Sequence, residues 1–365
     1  MLSKNAQVWL FSILSASALA LAWLLPATFA ALVLGWLAVL SLTLAVRVEQ
    51  RAPYLPIYAG GLVAIALGFH WLFDTISLFG GFSKPATAAI YILFVLGSAV
   101  QYIAFTFLYR NLPQVVDHLG MRTAIAWTTV ELLPLRIFPW QMAHTQLRFL
   151  PFIQIADLAG TLLITFIMFW LCESVWRRIA AREANPLLSG AMLVFVLALV
   201  YGTAKIFVIT ATEHATQKVA VVQANITTAE KHNVQYFTKN TERYINLTRQ
   251  IAEDGLLVVW PETVIQEWVS TRVGHVHSDP RLPVWSKAMH LLTGALTYDE
   301  ITRNIFNSAI AVESDGDIPL PYHKQILMPF GEYIPFVESF PWLEQIVITA
   351  GDFTAGRDVS VFDFS

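Results

Sequence analysis

Charge is scarce in this chain. Of 365 residues, 23 are Lys or Arg and 26 are Asp or Glu, so 13% are charged, about half the usual share of a soluble domain, roughly 25%. The net charge of −3 is too small to draw nucleic acid or another strongly charged partner. Cysteine is almost missing: Cys172 stands alone, which excludes an intramolecular disulfide framework and leaves the redox compartment unread. There are no internal repeats, no low-complexity tract and no glycine-rich phosphate loop, and nothing in the pattern calls for a metal or a cofactor. Apolar residues are what is plentiful. They make up 56% of the chain with a mean hydropathy of +0.56, and that identifies a membrane protein.

The apolar residues are unevenly spread. Long runs with few charges fill residues 1–212, whereas 217–365 has the composition of an ordinary globular domain. A membrane span needs about 20 mostly apolar residues, and seven segments meet that need: 6–25, 28–46, 56–73, 86–108, 121–137, 153–175 and 187–210. The first, with Lys4 ahead of it, has an alternative reading as a secretory signal cleaved near Ala18 or Ala20. Orientation follows from the basic residues between spans. With the N-terminus in the cytoplasm, Lys4, Arg47, Arg51, Arg110, Arg122, Arg177, Arg178 and Arg182 lie inside, and Lys84, Arg136 and Arg148 lie outside. An odd number of spans then sends 217–365 to the outer face. Glu131, Asp157 and Lys205 are ionisable groups at membrane depth or near its edge, where such groups are functional suspects. His70-Trp71 and Phe138-Pro139-Trp140 read as interfacial anchors.

In the globular part the period changes. KVAVVQANI (218–226) predicts a buried strand, and 228–253 a helix with Phe237, Tyr244, Leu247 and Ile251 on one face. GLLVVW (255–260) predicts a second buried strand, followed by a helix near 283–291 and strands near 291–297, 307–313 and 319–326, with Asp315-Gly316-Asp317 as a turn. This alternation indicates an α/β layered domain. Pro261 cannot donate a ladder bond, so the strand before it ends there and presents Glu262 at the edge of the sheet. Two readings stand at this point: Glu262 as a site carboxylate, or Glu262 as a cap on a following helix. A second constellation, YHKQILMPFGEYIP (322–335), carries Lys324 and a Gly-Glu turn with Glu332. A carboxylate that deprotonates a nucleophile and a cation that holds an oxyanion are parts of an amide- or ester-handling site.

With AWTTVELL (126–133), FPW (138–140), QIADLAG (154–160) and VVWPET (258–263), these residues make the chain resemble the apolipoprotein N-acyltransferase family. The resemblance implies a polytopic inner-membrane enzyme of the bacterial cell with an extracytoplasmic nitrilase-like αββα sandwich. Its activity moves a fatty acyl chain from a phospholipid donor to the N-terminal diacylglyceryl-cysteine of an apolipoprotein, through a thioacyl-enzyme. It places the general base on Glu262, the oxyanion-stabilising lysine on Lys324 and a supporting acid on Glu332. The family's nucleophilic cysteine lies beyond the lysine, and no cysteine follows Lys324 here. The expectation is therefore an incomplete sandwich, lacking the family's eighth span and its nucleophile, and inactive as it stands. Cys172 falls at the cytoplasmic end of the 153–175 span and reads as a small buried apolar residue. QANITTAEKHNVQYF (223–237) keeps the family's polar start, Gln223 and Asn225, without its downstream tryptophan. The rival readings are a non-catalytic membrane homologue that binds lipid or lipoprotein, a transporter, and a hydrolase of small amides.

Overall fold

A computed structural model describes the chain except residues 1, 49–52, 134–136, 182–185, 212–216, 232, 330, 335–336, 342–350 and 365. It divides into two compact units, Met1–Glu213 and His214–Ser365.

The first unit is helical: α1 Lys4–Leu24, α2 Phe29–Arg47, α3 Tyr54–Gly68, α4 Trp71–Gly80, α5 Lys84–Asn111, α6 Gln114–His118, α7 Arg122–Leu132, α8 Leu150–Ile153, α9 Ala156–Ala181 and α10 Pro186–Ala211. Capping starts the first two, where Ser3 accepts from the amide of Ala6 and Thr28 from that of Ala31. Among the described residues, five helices are long and apolar enough to cross a membrane: α1, α2, α5, α9 and α10. The pair α3 and α4, bent by 59° at Phe69-His70, makes a sixth if it counts as one span. The segment 121–137, expected to be a span, differs. It forms the 11-residue α7, about 16 Å long against a hydrocarbon core of about 30 Å. Pro134 ends it, because a residue before proline is pushed out of the helical region, and Leu133 sits at φ −75°, ψ 141°.

The direction of each helix is readable from its ends. Arg47, closing α2, lies 2.6 Å from Asp117 of α6 and pairs with Glu173 near the end of α9. Arg122, opening α7, and Arg177 of α9 lie 3.7 and 2.9 Å from Asp117. The amide and hydroxyl of Thr123 donate to Glu173 at 2.7 and 2.6 Å. Arg110, near the end of α5, covers the ring of Tyr54, which opens α3, at 4.7 Å. One end of the bundle therefore gathers the basic residues. At the other, Trp23 of α1 meets Phe69 and Trp140, and Asp157 at the start of α9 accepts from Tyr201 (2.8 Å) and pairs with Lys205, both on α10. The chain leaves α10 at this second end. Arg51, Arg136 and Arg182 lie outside the described residues. Trp140 is not an interfacial anchor: it is buried, with its ring edge-on to Trp23 at 4.6 Å.

The second unit carries β1 Val219–Val221, α11 Thr228–Lys231, α12 Phe237–Arg249, β2 Leu257–Val259, β3 Ile265–Ser270, β4 His290–Tyr298, β5 Ile305–Val312 and β6 Tyr322–His323. They form one mixed sheet in the order β1-β2-β4-β5-β6. Strands β1, β2 and β4 run parallel, β5 runs antiparallel to β4, and β6 runs antiparallel to β5. β2 and β3 both pair with β4, β2 against His290–Leu292 and β3 against Ala295–Tyr298, so they follow one another along the same side of β4 with a break at 260–264. α12 packs on one face through Tyr244, whose ring lies 5.5 Å from that of Trp260, and Thr248, which accepts from the Trp260 indole at 2.9 Å.

Three expectations change here. No helix covers 283–291, where Pro280 and Pro283 hold an irregular segment. The helix expected over 228–253 is divided, and α12 buries Asn240, Tyr244 and Thr248 while Ile251 is exposed. The element after Glu262 is the strand β3, so the reading of Glu262 as a helix cap fails. Of the expected sandwich, the described residues hold one sheet.

Candidate active site

Glu262 sits in the break between β2 and β3. Its placement depends on Gly294 of β4, whose amide donates to the Pro261 carbonyl (3.2 Å) and whose carbonyl accepts from Val264 (2.9 Å). A Cβ at position 294 would lie 2.3 Å from the Thr263 amide nitrogen and 2.6 Å from the Glu262 Cα, so only glycine lets the break lie this close to β4. Thr263 takes φ +55°, a left-handed conformation unfavourable for a β-branched residue.

Lys324 follows the two-residue β6. Its amide donates to Asn307 of β5 at 2.8 Å and its carbonyl accepts from Gly356 at 2.9 Å. On the opposite face of the sheet the hydroxyls of Thr297 and Ser308 are 2.6 Å apart, and Ser308 bonds His323 Nδ1 at 2.7 Å. His323 also stacks on Phe306 at 4.0 Å. This polar chain fixes the register of β6 and with it the position of Lys324. Glu332 comes from a turn in which its amide donates to the Met328 carbonyl (2.9 Å) while its own carboxylate accepts from the Met328 amide (2.7 Å).

The three side chains converge. Lys324 Nζ lies 3.2 Å from Glu262 and 3.0 Å from Glu332, and Asn307 Nδ2 donates to both carboxylates, at 2.5 and 2.8 Å. Asn307 is the residue that reading the sequence missed. Its only signal was a polar side chain in the middle of the apolar strand IFNSAIAV. Burial against the sheet pushes the Glu262 pKa up, but the Asn307 hydrogen bond and the Lys324 ammonium outweigh it and hold the group below its ordinary value. Burial acts downward on Lys324, and hydrogen bonds to Glu332 and Glu262 overcome it, so its pKa is raised. At neutral pH the site thus holds an ionised carboxylate beside a protonated amine. A cavity of about 240 Å³ opens over them, lined by Pro261, Glu262, Gly294, Asn307, Tyr322 and Lys324 among others.

The remaining ionisable suspects lie in the first unit. Glu131 accepts from the Trp127 indole (2.9 Å) and the Met142 amide (2.8 Å), tying α7 to the segment after it. Asp157 and Lys205 join α9 to α10. Cys172 is buried on α9, beside Glu173. Among the described residues no cluster of three His, Cys, Asp or Glu could hold a metal.

The chain thus joins a helical unit with membrane-spanning features to an α/β unit bearing a Glu-Lys-Glu cluster at a break in its sheet. The family of the apolipoprotein N-acyltransferase N-terminal domain matches residues 15–174. Curated relatives bear the name apolipoprotein N-acyltransferase. The one from Geobacter metallireducens is 27% identical over 97% of this chain and 70% of its own length. Those from Methylococcus capsulatus and Haemophilus ducreyi are 27% and 23% identical over 91% and 83% of this chain. The chain spans 67% and 61% of their respective lengths. Most of the chain is thus similar to proteins of the apolipoprotein N-acyltransferase family.

Proposed function

We propose that this protein N-acylates the N-terminal diacylglyceryl-cysteine of lipoproteins with a fatty acyl chain taken from a phospholipid. The observation that carries the proposal is the meeting of Glu262, Lys324 and Asn307 under one cavity, with Glu332 bonded to the last two. Glu262 takes the proton of a thiol, and the thiolate attacks the carbonyl of the phospholipid ester. Lys324, kept charged by two acids, stabilises the tetrahedral oxyanion. The C–O bond breaks, Glu262 gives its proton to the departing lysophospholipid oxygen and is a carboxylate again, and the acyl chain remains as a thioester. The lipoprotein amine then attacks that thioester, losing its proton to Glu262, and the thiol is restored. Glu332 and Asn307 hold the base and the lysine at their working separation. No cysteine is among the residues that line the cavity, and the thiol is the part of this scheme that they do not supply.

The nitrilase-like reading of the second unit is supported by its mixed sheet and by the place of Glu262 at a strand break. An inner-membrane location is supported by the first unit. If α3 with α4 is one crossing, and α7 with the stretch leading to α9 is another, the chain crosses seven times. The end that gathers Arg47, Arg110, Arg122 and Arg177 is then cytoplasmic, and the exit from α10 at the other end directs the residues from 217 onward to the periplasm.

The second reading, a membrane homologue that binds lipid or lipoprotein without acyl transfer, is favoured by the same lack of a thiol at the cavity. Intact mass spectrometry separates the two. The natural full-length protein, isolated from its membranes and given phospholipid, is expected to gain the mass of one fatty acyl chain and lose it to hydroxylamine. No adduct, or one that hydroxylamine leaves in place, would sink the acyl-transfer reading and leave the binding one.

A further inference from the structure

One cation beside the site has no part in the chemistry above. Lys231, the last residue of the single-turn α11, directs its ammonium to the main-chain carbonyl of Glu262 at 3.1 Å. That turn is braced more heavily than four residues need. Thr227 and Glu230 cap it reciprocally: the Thr227 amide and hydroxyl donate to the Glu230 carboxylate at 3.1 and 2.9 Å, and the Glu230 amide donates to the Thr227 hydroxyl at 3.3 Å. Asn240 of α12, buried, donates to the Glu230 carbonyl at 3.2 Å, and Gln266 of β3, also buried, donates to the carbonyl of Lys231 itself. Two buried amide side chains from different elements therefore fix the backbone from which Lys231 reaches Glu262.

Lys231 reaches the strained part of the site. Thr263, the next residue after Glu262, holds φ +55°, a conformation that persists only where the surroundings over-determine it. Val264 and Pro261 on either side are bound to Gly294, and among the described residues the side-chain contact to the Glu262 carbonyl comes from Lys231.

We propose that Lys231 is a positioning residue for Glu262: its ammonium, bound to the Glu262 carbonyl from a turn braced by Asn240 and Gln266, holds the sheet break so that the carboxylate stays on Asn307 and Lys324. This rests on the reading of Glu262 as the base. The titratable groups that face Glu262 are Lys324 and Lys231, with Glu332 across Asn307 and Lys324. Lys231 also acts at a distance, its charge favouring the ionised carboxylate.

The test uses the natural full-length protein in its membranes, as wild type, Lys231→Met and Lys231→Arg. The Glu262 side chain is 63% exposed and open to a water-soluble carbodiimide, which reacts with protonated carboxyl groups. Peptide mapping of the labelled protein against pH then reports its ionisation without any turnover. In Lys231→Met the labelling midpoint is expected to rise by about half a pH unit, with Lys231→Arg close to wild type. In acyl transfer, Lys231→Met is expected to lower kcat about tenfold with KM for phospholipid unchanged. An unmoved labelling midpoint in Lys231→Met overturns the proposal, as does a defect confined to KM, which would make Lys231 a lipid contact. A wild type that labels as expected but transfers no acyl chain refutes the acyltransferase reading while the labelling still decides the role of Lys231.

Discussion

Gly294→Ala adds one carbon atom where the site has no room for it. The new Cβ would stand 2.3 Å from the Thr263 nitrogen and 2.6 Å from the Glu262 Cα, and ordinary van der Waals contact begins near 3.4 Å, so something must move by about 1 Å. Both obstructing atoms are backbone, and no rotamer change relieves the clash. β4 is the less able to yield, since β2, β3 and β5 hydrogen-bond along it. The break therefore shifts and takes Glu262 with it. A displacement of this size lengthens the 2.5 Å contact to Asn307 and the 3.2 Å contact to Lys324 beyond hydrogen-bond range. Misplacement of a reacting group by about 1 Å lowers rate by roughly a hundredfold. Acyl transfer by the natural full-length protein in membranes is the assay, with circular dichroism to show that the sheet persists. Gly97→Ala is the control, because a Cβ there meets nothing within 4 Å. Activity of Gly294→Ala within threefold of wild type would refute the argument that close approach at Gly294 sets the position of Glu262.

Asn307→Leu removes the donor shared by two carboxylates. It is expected to raise the pH at which Glu262 protonates and to lower acyl transfer by at least tenfold, about 1.4 kcal/mol, as read from the acid limb of the pH–rate profile. The Glu262–Lys324 pair gives stability a defined pH window. The carboxylate's lowered pKa contributes fully above its ordinary value of 4.5, and that contribution is lost as pH falls through the folded-state value. The raised Lys324 pKa contributes below 10.5 and is lost as pH rises through its folded-state value. Glu262→Gln should flatten the acid side of a melting-temperature curve measured against pH. In the helical unit, Glu173 is fully buried between Arg47, Arg177 and Thr123, and Arg47→Met strips it of a charged partner. Breaking such a pair costs about 3–5 kcal/mol, to be read as a lower denaturation midpoint in detergent.

Local chemistry made parts of this fold legible. Pro261 follows the apolar run GLLVVW that contains β2, Leu257–Val259, so Glu262 at a strand end was readable. Lys324 and the Gly-Glu turn with Glu332 were read as parts of a site from their residue types and given their roles by the family resemblance, and their meeting with Glu262 depends on contacts from residue 262 to residue 332 that no local pattern encodes. Asn307 was invisible for the same reason. β3 went unseen because IQEWVS mixes polar and apolar residues without a clean alternation, and its pairing past the end of β2 is a tertiary fact. Residues 283–291 read as a helix from composition, but the prolines and the demands of β4 decided otherwise. In the bundle, arginines counted only for their charge proved to be partners of Asp117 and Glu173. A sum of charges between spans cannot show which of them are paired.

The central claim, that the Glu262–Lys324 site carries acyl transfer to a lipoprotein amine, is tested most directly with a synthetic diacylglyceryl-cysteine peptide. The peptide is incubated with phospholipid and membranes containing the natural full-length protein, either wild type or Glu262→Gln, and then weighed by mass spectrometry. Wild type is predicted to add one amide-linked fatty acyl chain to the peptide's N-terminus and Glu262→Gln to add none. A peptide left unmodified by wild type, or acylated equally by both, would contradict the account.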